Sequence, residues 1–357
     1  MPKISGAYTA LITPFNSEYT IDWLRLEQNI RFQIQSGIDG LVPVGTTGES
    51  PTLLWDEHMS IIQRALKVTE DNFARDRVQI IAGTGSNSTL EALKYSAKAV
   101  RLGANGVLLV TPYYNRPTSR QMAQYYFLPV AKEIAEIRPN AIVMPYDIPG
   151  RTASKLEPVD LAWLVEQCPN ITGIKDATGG IESMVAIRRL LGKDFSMMSG
   201  DDNMTGVVMG TMNIRGNGVI SVISNIAPAA VKQMVTAFAT GDDENGVALQ
   251  KKLIPLFNLV SFRVKSARSW GKESFELEEK IANPCPIKTM MAGLGLDSGK
   301  LRGPLGKMNS VGVFLVRQAL QEVWRENPEI LQPLEKFYGV NLTERLEDDK
   351  IWQALAA

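Results

Sequence analysis

Short apolar runs recur about every 25 to 35 residues along the first two-thirds of the chain, and this spacing constrains the fold most. Most of the runs are aliphatic or β-branched and end in Gly, Pro, Thr or Ser, as buried strands do. The predicted strands are residues 7–13, 41–44, 78–82, 106–110, 141–144, 171–174, 195–198 and 219–222. The segments between them have a helical period; residues 89–102, 160–168 and 181–191 are examples.

Strands that alternate with helices predict an α/β protein with a parallel sheet. About eight such units in roughly 225 residues predict a (β/α)8 TIM barrel formed by residues 1–225. A doubly wound open sheet is the alternative, but it usually has fewer strands and a Gly-rich nucleotide turn after the first one. Residues 13–16 (Thr-Pro-Phe-Asn) are not such a turn, so the barrel is favoured.

The strand pattern fades after residue 222, and residues 226–357 are expected to form a C-terminal helical appendage. Helices are predicted over residues 227–240, 244–264, 286–293 and 312–327. An insertion near residues 262–281 is highly charged, with basic residues followed by glutamates. The charge pattern indicates a solvated helix or loop with internal ion pairs rather than a binding arm.

Composition excludes several classes of function. The 38 basic residues balance 38 acidic ones, which argues against nucleic-acid and membrane-surface binding. His58 is the single histidine, and Cys168 and Cys285 form no CxxC pair, so a metal centre or a disulfide framework is not expected. The sequence has neither a run of about eighteen apolar residues nor a secretory leader pattern, so a cytoplasmic protein without a membrane span is predicted.

Lys175 is the most informative polar residue, because it closes the apolar run 171–174 and should be buried. A buried lysine must either be paired or lose its charge. Desolvation would lower its pKa and leave a neutral amine, the form that attacks a ketone to make a Schiff base. The alternative is a structural ion pair with Asp176 or a glutamate, and position alone does not separate the two.

Other polar residues follow the predicted strands, where barrel active sites lie. The turn 45–50 (Gly-Thr-Thr-Gly-Glu-Ser) offers N–H groups and hydroxyls for an anion, or is an ordinary N-cap turn. Tyr114 and Tyr146 are candidate proton carriers, or rim packing. Arg151 is a candidate clamp for a carboxylate, or a surface ion-pair residue.

Six motifs occur together in a fixed order. They are Gly-Thr-Thr-Gly-Glu-Ser at 45–50, Thr-Pro-Tyr-Tyr-Asn at 111–115, Tyr-x-x-Pro-x-Arg-Thr at 146–152, Gly-Ile-Lys-Asp-Ala-Thr-Gly at 173–179, Ser-Gly-Asp-Asp at 199–202 and Gly-Val-Ile-Ser-Val at 218–222. Together they closely resemble the dihydrodipicolinate synthase family, in the superfamily of pyruvate-dependent class I aldolases that includes N-acetylneuraminate lyase. The resemblance covers about residues 4–260 and resumes at 283–288.

The resemblance implies an activity: pyruvate condenses with L-aspartate 4-semialdehyde to give 4-hydroxy-tetrahydrodipicolinate, in diaminopimelate and lysine biosynthesis. It implies no metal or organic cofactor, and a homo-oligomer (dimer or tetramer). The implied catalytic residues are Lys175 as the Schiff base, Tyr146 as acid/base, and Thr46 and Tyr114 as relay, Tyr114 acting in the neighbouring subunit's site. The implied substrate contacts are Thr47 and Ile220 for pyruvate, Arg151 for the aldehyde's carboxylate, and Gly200 as a further substrate-binding residue.

Two other functions remain open: a related aldolase acting on a sugar-derived 2-oxo acid, and a non-catalytic barrel that binds a metabolite. Arg151 and the Thr46–Thr47 pair favour the synthase over the related aldolase. The buried Lys175 argues against the non-catalytic barrel. Two positions depart from the family pattern, since Asp147 stands where asparagine is usual and Gly150 where serine is frequent. Asp147 is expected to affect rate through Tyr146 rather than the type of chemistry.

The resemblance also implies a lysine effector site at a subunit interface. The matching positions are Ser50, Pro51, Trp55, His58, Asn87, Glu91 and Tyr113. Glu91 can pair with the amine of lysine and Asn87 with its carboxylate, which favours a real site. The alternative is that Trp55 and His58 only pack their helix onto its neighbour.

Overall fold

The computed structural model describes residues 3–357 and contains a closed barrel of eight parallel strands. The strands are β1 (Gly6–Ala10), β2 (Gly40–Val42), β3 (Gln79–Gly83), β4 (Gly106–Val110), β5 (Ile142–Asp147), β6 (Gly173–Asp176), β7 (Ser196–Ser199) and β8 (Gly218–Ser221). Each strand pairs with the next in the sequence, and β8 closes the ring against β1 in the register Gly6↔Gly218. The predicted (β/α)8 barrel is confirmed, with strand positions within a few residues of those predicted.

Helices surround the barrel and continue beyond it. Those up to β8 are α1 (Trp23–Gln35), α2 (Trp55–Asp71), α3 (Thr89–Leu102), α4 (Ser119–Met122), α5 (Leu128–Ile137), α6 (Pro149–Thr152), α7 (Pro158–Gln167), α8 (Ile181–Leu191) and α9 (Thr205–Gly210), with a π-helical turn, Ala123–Phe127, joining α4 to α5. The later ones are α10 (Pro228–Ala239), α11 (Asp243–Phe257), α12 (Cys285–Gly293), α13 (Ser310–Glu326), α14 (Gln332–Tyr338), α15 (Leu342–Glu347) and α16 (Asp349–Gln353). Short 3₁₀ turns are Ser50–Thr52, Ile223–Asn225 and Pro328–Ile330.

Two apolar layers hold the barrel, because successive side chains of a strand point to opposite faces of the sheet. One layer fills the barrel interior and includes Met144, Tyr146, Met198 and Ile220. The other lies between the strands and the helices and includes alternate residues of the same strands, such as Val143 and Ile174. Both faces of each strand are therefore buried, which explains why the strands are continuous apolar runs in the sequence.

The C-terminal region is helical as predicted, except at the charged insertion. Residues 261–282 form an antiparallel hairpin of β9 (Ser261–Trp270) and β10 (Glu273–Ala282), so the predicted helix or loop is wrong there, and the helix predicted to residue 264 ends at Phe257. The physical reason is a period of two over part of each strand: Phe262 and Val264 alternate on β9 and Phe275 and Leu277 on β10, and Gly271, at φ +61°, allows a two-residue turn. The predicted internal ion pairs are present, including Arg263–Glu278 at 2.7 Å. The boundary at residue 225 stays a prediction.

Over residues 3–357, none of the helices combines the length and the apolar character needed to cross a membrane. The same residues contain no cluster of three or more His, Cys, Asp or Glu side chains arranged to hold a metal ion.

Candidate active site

Lys175 and Tyr146 face each other inside the barrel at the carboxyl ends of two adjacent strands. Lys175 is on β6 and Tyr146 on β5, and the two are direct partners in the strand register. The Nζ of Lys175 lies 4.1 Å from the centroid of the Tyr146 ring, and both side chains are buried. The sequence motifs at 146–152 and 173–179 therefore meet at one point.

Burial determines the charge state of Lys175. Desolvation lowers the pKa of its amine from 10.5 to about 8, although the carboxylates of Asp201 and Asp202 partly oppose the shift. Among residues 3–357, no carboxylate lies within ion-pair distance of Nζ. Asp176 instead uses Oδ1 to accept hydrogen bonds from Thr178. The structural ion pair considered as an alternative is thus absent, and a neutral amine is accessible near neutral pH.

Tyr146 is held as a protonated phenol close to this amine. Burial raises the pKa of its hydroxyl well above the ordinary value of 10, while the positive charge of Arg151 and the nearby side chain of Thr46 act in the opposite direction. Thr46 belongs to the turn that follows β2. Lys175, Tyr146 and Thr46 therefore come together as a nucleophile, a proton donor and a hydroxyl partner.

A cavity of about 370 Å³ opens above these residues. Thr46, Tyr146 and Arg151 line it from the strand ends, and Ser50, Pro51, Trp55, His58, Glu91 and Tyr113 line it from the α2 and α3 side. One cavity thus brings together three predicted catalytic or substrate-binding residues and six of the seven predicted lysine-site residues. The seventh, Asn87, lines an adjacent cavity of about 270 Å³ instead.

The other predicted substrate contacts do not line the 370 Å³ cavity. Ile220 lies in the barrel interior, in the same cluster as Tyr146. Gly200 follows β7, and its N–H donates to the carbonyl of Asp176 over 2.6 Å. Thr47 is buried, and its hydroxyl accepts a hydrogen bond of 2.9 Å from the side chain of Asn283. These three residues lie below or beside the cavity, not on its wall.

Arg151 is exposed at the mouth of the cavity, on the short helix α6. One of its terminal nitrogens donates to the backbone carbonyl of Asn283 over 2.7 Å. Asn283 therefore contacts both Thr47 and Arg151. The sequence marked Asn283 only as the start of the motif at 283–288 and gave it no role, because its two partners are far away along the chain.

Tyr114 is not brought to the site within one chain. Its side chain is 88 % exposed, its backbone has φ +61°, and it does not line the cavity. Its predicted action in a neighbouring subunit stays a prediction.

Trp55 and His58, two of the predicted lysine-site residues, also make packing contacts, which is the alternative role considered for them. The ring of Trp55 stacks on that of Tyr95 at 4.0 Å, and the Nε2 of His58 lies 3.0 Å from the carbonyl of Ser50. Burial lowers the pKa of His58, which favours a neutral ring. Glu91 accepts a 2.5 Å hydrogen bond from Ser86 and lines the cavity, so its carboxylate is a candidate partner for a cation.

A buried ion pair anchors the turn that carries Thr46 and Thr47. Glu49 and Lys288 are both fully buried, with Oε1 and Nζ 2.6 Å apart. Lys288 also donates to the carbonyl of Thr13 over 2.8 Å. This pair was not predicted from the sequence, where its one signal is a lysine that follows the apolar residues 284–287.

Comparison with known proteins agrees with this geometry. A sequence model of the dihydrodipicolinate synthetase family matches residues 3–322. A 4-hydroxy-tetrahydrodipicolinate synthase of Endomicrobium trichonymphae is 38 % identical over 318 residues, which is 89 % of this chain and 98 % of that protein.

Solved structures give the same result. The crystal structure of dihydrodipicolinate synthase from Aquifex aeolicus superposes with a TM-score of 0.78 at 33 % identity, covering 89 % of this chain and 98 % of that one. The enzyme from Cyanidioschyzon merolae, solved with lysine bound, has a TM-score of 0.77 at 31 % identity, covering 89 % and 98 %. Because the sequence match spans most of the chain and the fold agrees over the same length, the chain belongs to the dihydrodipicolinate synthetase family.

Proposed function

We propose that this protein is a 4-hydroxy-tetrahydrodipicolinate synthase, a lyase that condenses pyruvate with L-aspartate 4-semialdehyde through a Schiff base on Lys175. The observation that carries the proposal is the buried amine of Lys175, which has a lowered pKa, no carboxylate of residues 3–357 within ion-pair distance and the Tyr146 ring 4.1 Å away. A buried lysine in this state is a nucleophile for a ketone. The named relatives support the choice of substrates.

The first half of the reaction uses the Lys175–Tyr146 pair. The neutral amine attacks the ketone carbon of pyruvate, and the Tyr146 hydroxyl supplies the proton with which the ketone oxygen leaves as water. Thr46, which lines the same cavity as Tyr146, is proposed to help return that proton. Thr47, Gly200 and Ile220 are proposed to contact pyruvate, which would enter below the cavity next to Nζ.

The second half takes place toward the mouth of the cavity. The imine loses a proton to become an enamine, whose carbon attacks the aldehyde. The amino group of the former aldehyde substrate then adds to the imine carbon, releases Lys175 and closes the ring. Every step uses groups of the protein or the substrates, so the mechanism calls for no metal or organic cofactor.

Trapping the imine tests the proposal. Borohydride added in the presence of pyruvate should leave a stable pyruvyl adduct on Lys175, detected by mass spectrometry of the digested protein. Omitting pyruvate is the control. A labelled lysine other than Lys175, or no label, would contradict the mechanism and leave the metabolite-binding barrel standing. Turnover with a sugar-derived aldehyde in place of L-aspartate 4-semialdehyde would instead identify the related aldolase.

Replacing Arg151 with alanine should impair the second substrate more than the first. We expect kcat/KM for the aldehyde to fall about ten- to a hundredfold, the equivalent of one charged hydrogen bond. The trapped pyruvate adduct should form nearly as well as in the wild type, because Arg151 lies at the mouth and Lys175 lies below. Arg151→Lys is the matched control, since it keeps the charge but loses the two-pronged geometry. Equal losses for both substrates would contradict the assigned role.

We also propose that the protein forms a homo-oligomer, either a dimer or a tetramer. Tyr114 is largely exposed and held away from its own cavity, so it can complete a proton relay only in another copy. The cytoplasmic location stays a prediction.

L-Lysine is proposed to bind on the α2 and α3 side of the cavity, where Glu91 faces Trp55 and His58. The lysine-bound relative from Cyanidioschyzon merolae supports this. Glu91→Ala should abolish lysine binding in calorimetry, whereas the wild type should bind at about millimolar or tighter, worth roughly 4 kcal/mol or more.

The Glu91→Gln variant separates the charge of Glu91 from its hydrogen bond with Ser86. It keeps an acceptor for Ser86 and removes the charge, so it should also lose lysine. Undiminished binding by Glu91→Gln would show that the carboxylate does not pair with the amine. A wild type that binds no lysine would remove the effector site and leave the catalytic proposal untouched.

A further inference from the structure

Two buried carboxyl groups lie side by side directly behind the catalytic pair. Asp147 follows Tyr146 and Asp176 follows Lys175, and the two aspartates are partners in the register of β5 and β6. Since side chains alternate along a strand, both point away from the barrel interior that Tyr146 and Lys175 occupy. Both are almost fully buried, at 2 % and 3 % exposure.

Each of the two carboxyl groups has one oxygen in use and one without a partner. The Oδ2 of Asp147 accepts the N–H of Leu156 over 3.1 Å, and the Oδ1 of Asp176 accepts two hydrogen bonds from Thr178. The remaining oxygens, Oδ1 of Asp147 and Oδ2 of Asp176, are buried and have no hydrogen-bond donor among residues 3–357. An unpartnered buried oxygen is costly, and two buried like charges side by side are costlier.

A single proton shared by the two carboxyl groups would remove both the unpartnered oxygens and the repulsion between like charges. We propose that Asp147 carries a proton on Oδ1 and donates it to Oδ2 of Asp176, so that a shared proton fastens the ends of β5 and β6 and positions Tyr146 against Lys175. The inference rests on the proposed function of those two residues. Asp147 acts here as a positioning residue that touches neither substrate.

The charges around the pair agree with this assignment. Burial, together with the neighbouring charges of Asp176 and Glu157, raises the pKa of Asp147 from 3.8 to about 7. Lys155 is the one nearby cation that opposes the shift, and it lies 3.1 Å from Glu157. Burial also raises the pKa of Asp176, which Lys155 and the hydrogen bonds from Thr178 oppose. Below about pH 7 the pair therefore holds at least one proton, as carboxyl dyads do.

Losing the proton should disturb the site without touching a catalytic group. Above about pH 7 two negative charges would face each other next to the hydrogen bond from the Ala177 N–H to the Asp147 carbonyl, 2.9 Å long, which joins the strand ends. Their repulsion would separate the two strand ends and with them Tyr146 and Lys175. A misplacement of about 1 Å can cost up to a hundredfold in rate.

The Asp147→Asn variant tests the proposal, because an amide is a permanent donor of the same shape. The ratio of its kcat to that of the wild type should rise about tenfold between pH 6 and pH 9. Titration of Lys175 occurs in both proteins and so cancels in the ratio. A ratio that stays flat over this range would overturn the positioning role.

A second readout needs no substrate. A carboxyl whose pKa is raised in the folded state stabilises the fold fully below its unfolded pKa of about 3.9, and this stability is lost as pH rises toward about 7. The Tm of the wild type relative to Asp147→Asn should therefore fall by a few degrees between pH 4 and pH 7 and stay level above. A constant difference would show that Asp147 is ionised and would overturn the proposal.

Asp176→Asn is the matched second variant, in case the first does not fold. Its amide oxygen can still accept the hydrogen bonds from Thr178, and its amide NH2 group can donate one to Asp147. The kcat of this variant should therefore not decline at alkaline pH. An alkaline decline as steep as that of the wild type would overturn the proposal. If no variant and no wild-type sample forms product, the proposed function fails, while the Tm comparison still decides whether the shared proton exists.

Discussion

Lys175→Ala should abolish the pyruvate adduct and lower turnover by at least about a thousandfold. The reason is that no other amine of residues 3–357 combines burial inside the barrel with the Tyr146 ring at 4.1 Å. Borohydride trapping and steady-state kinetics measure the two losses. The fold should survive, because the substitution removes a cationic group whose burial is unfavourable. Circular dichroism and thermal unfolding check that.

The Lys175→Arg variant separates the role of Lys175 as a nucleophile from its role as a positive charge. It keeps a cation near Asp201 and Asp202 but has no amine able to form an imine at neutral pH, so it should be as inactive as Lys175→Ala. In Asp147→Asn, whose strand ends should stay in place at alkaline pH, the rate of adduct formation should rise with pH, be half-maximal near pH 8 and level off above it, as the amine becomes neutral. A variant of Lys175 that keeps full turnover would refute the mechanism.

The sequence was sufficient to predict the barrel because both faces of its strands are buried. Such strands appear as continuous apolar runs, and the polar residue that ends each run marks the edge where the site forms. Lys175 stood out for this reason, as a lysine at the end of a buried run. Burial predicted either a lowered pKa or an ion pair for its amine, and the structure has the lowered pKa.

What sequence reasoning missed depends on contacts between distant parts of the chain. Asn283 reaches Thr47 across 236 positions, and no local pattern reports such a pair. The hairpin was missed for a different reason: its charges were interpreted as those of a solvated helix or loop, while the alternation of Phe262 and Val264, continued by Phe275 and Leu277 on the return strand, is the period of a strand.

Replacing Lys288 with methionine should produce the largest loss of stability expected for a single residue outside the barrel strands. Lys288 and Glu49 are each fully buried, and Lys288 also lies over the Phe15 ring, 4.2 Å from its centroid. Methionine fills nearly the same space but leaves the carboxylate of Glu49 buried beside the backbone N–H of Arg302, without its cation. Removing one partner of a buried pair typically costs about 3–5 kcal/mol. Urea unfolding followed by fluorescence measures the free energy of unfolding.

The double variant Glu49→Gln with Lys288→Met removes both charges, so it should recover a large part of that loss and give a positive coupling energy in a double-mutant cycle. An exposed pair is the control: Arg263→Met in the hairpin should change the free energy of unfolding by less than about 1 kcal/mol. Because Glu49 lies in the turn that carries Thr46 and Thr47, Lys288→Met should also lower kcat, although Lys288 is on α12 and lines no part of the cavity. If Lys288→Met were no more destabilising than Arg263→Met, the Glu49–Lys288 pair would not anchor the turn. The position of Thr46 near Tyr146 would then depend on the backbone of the turn alone.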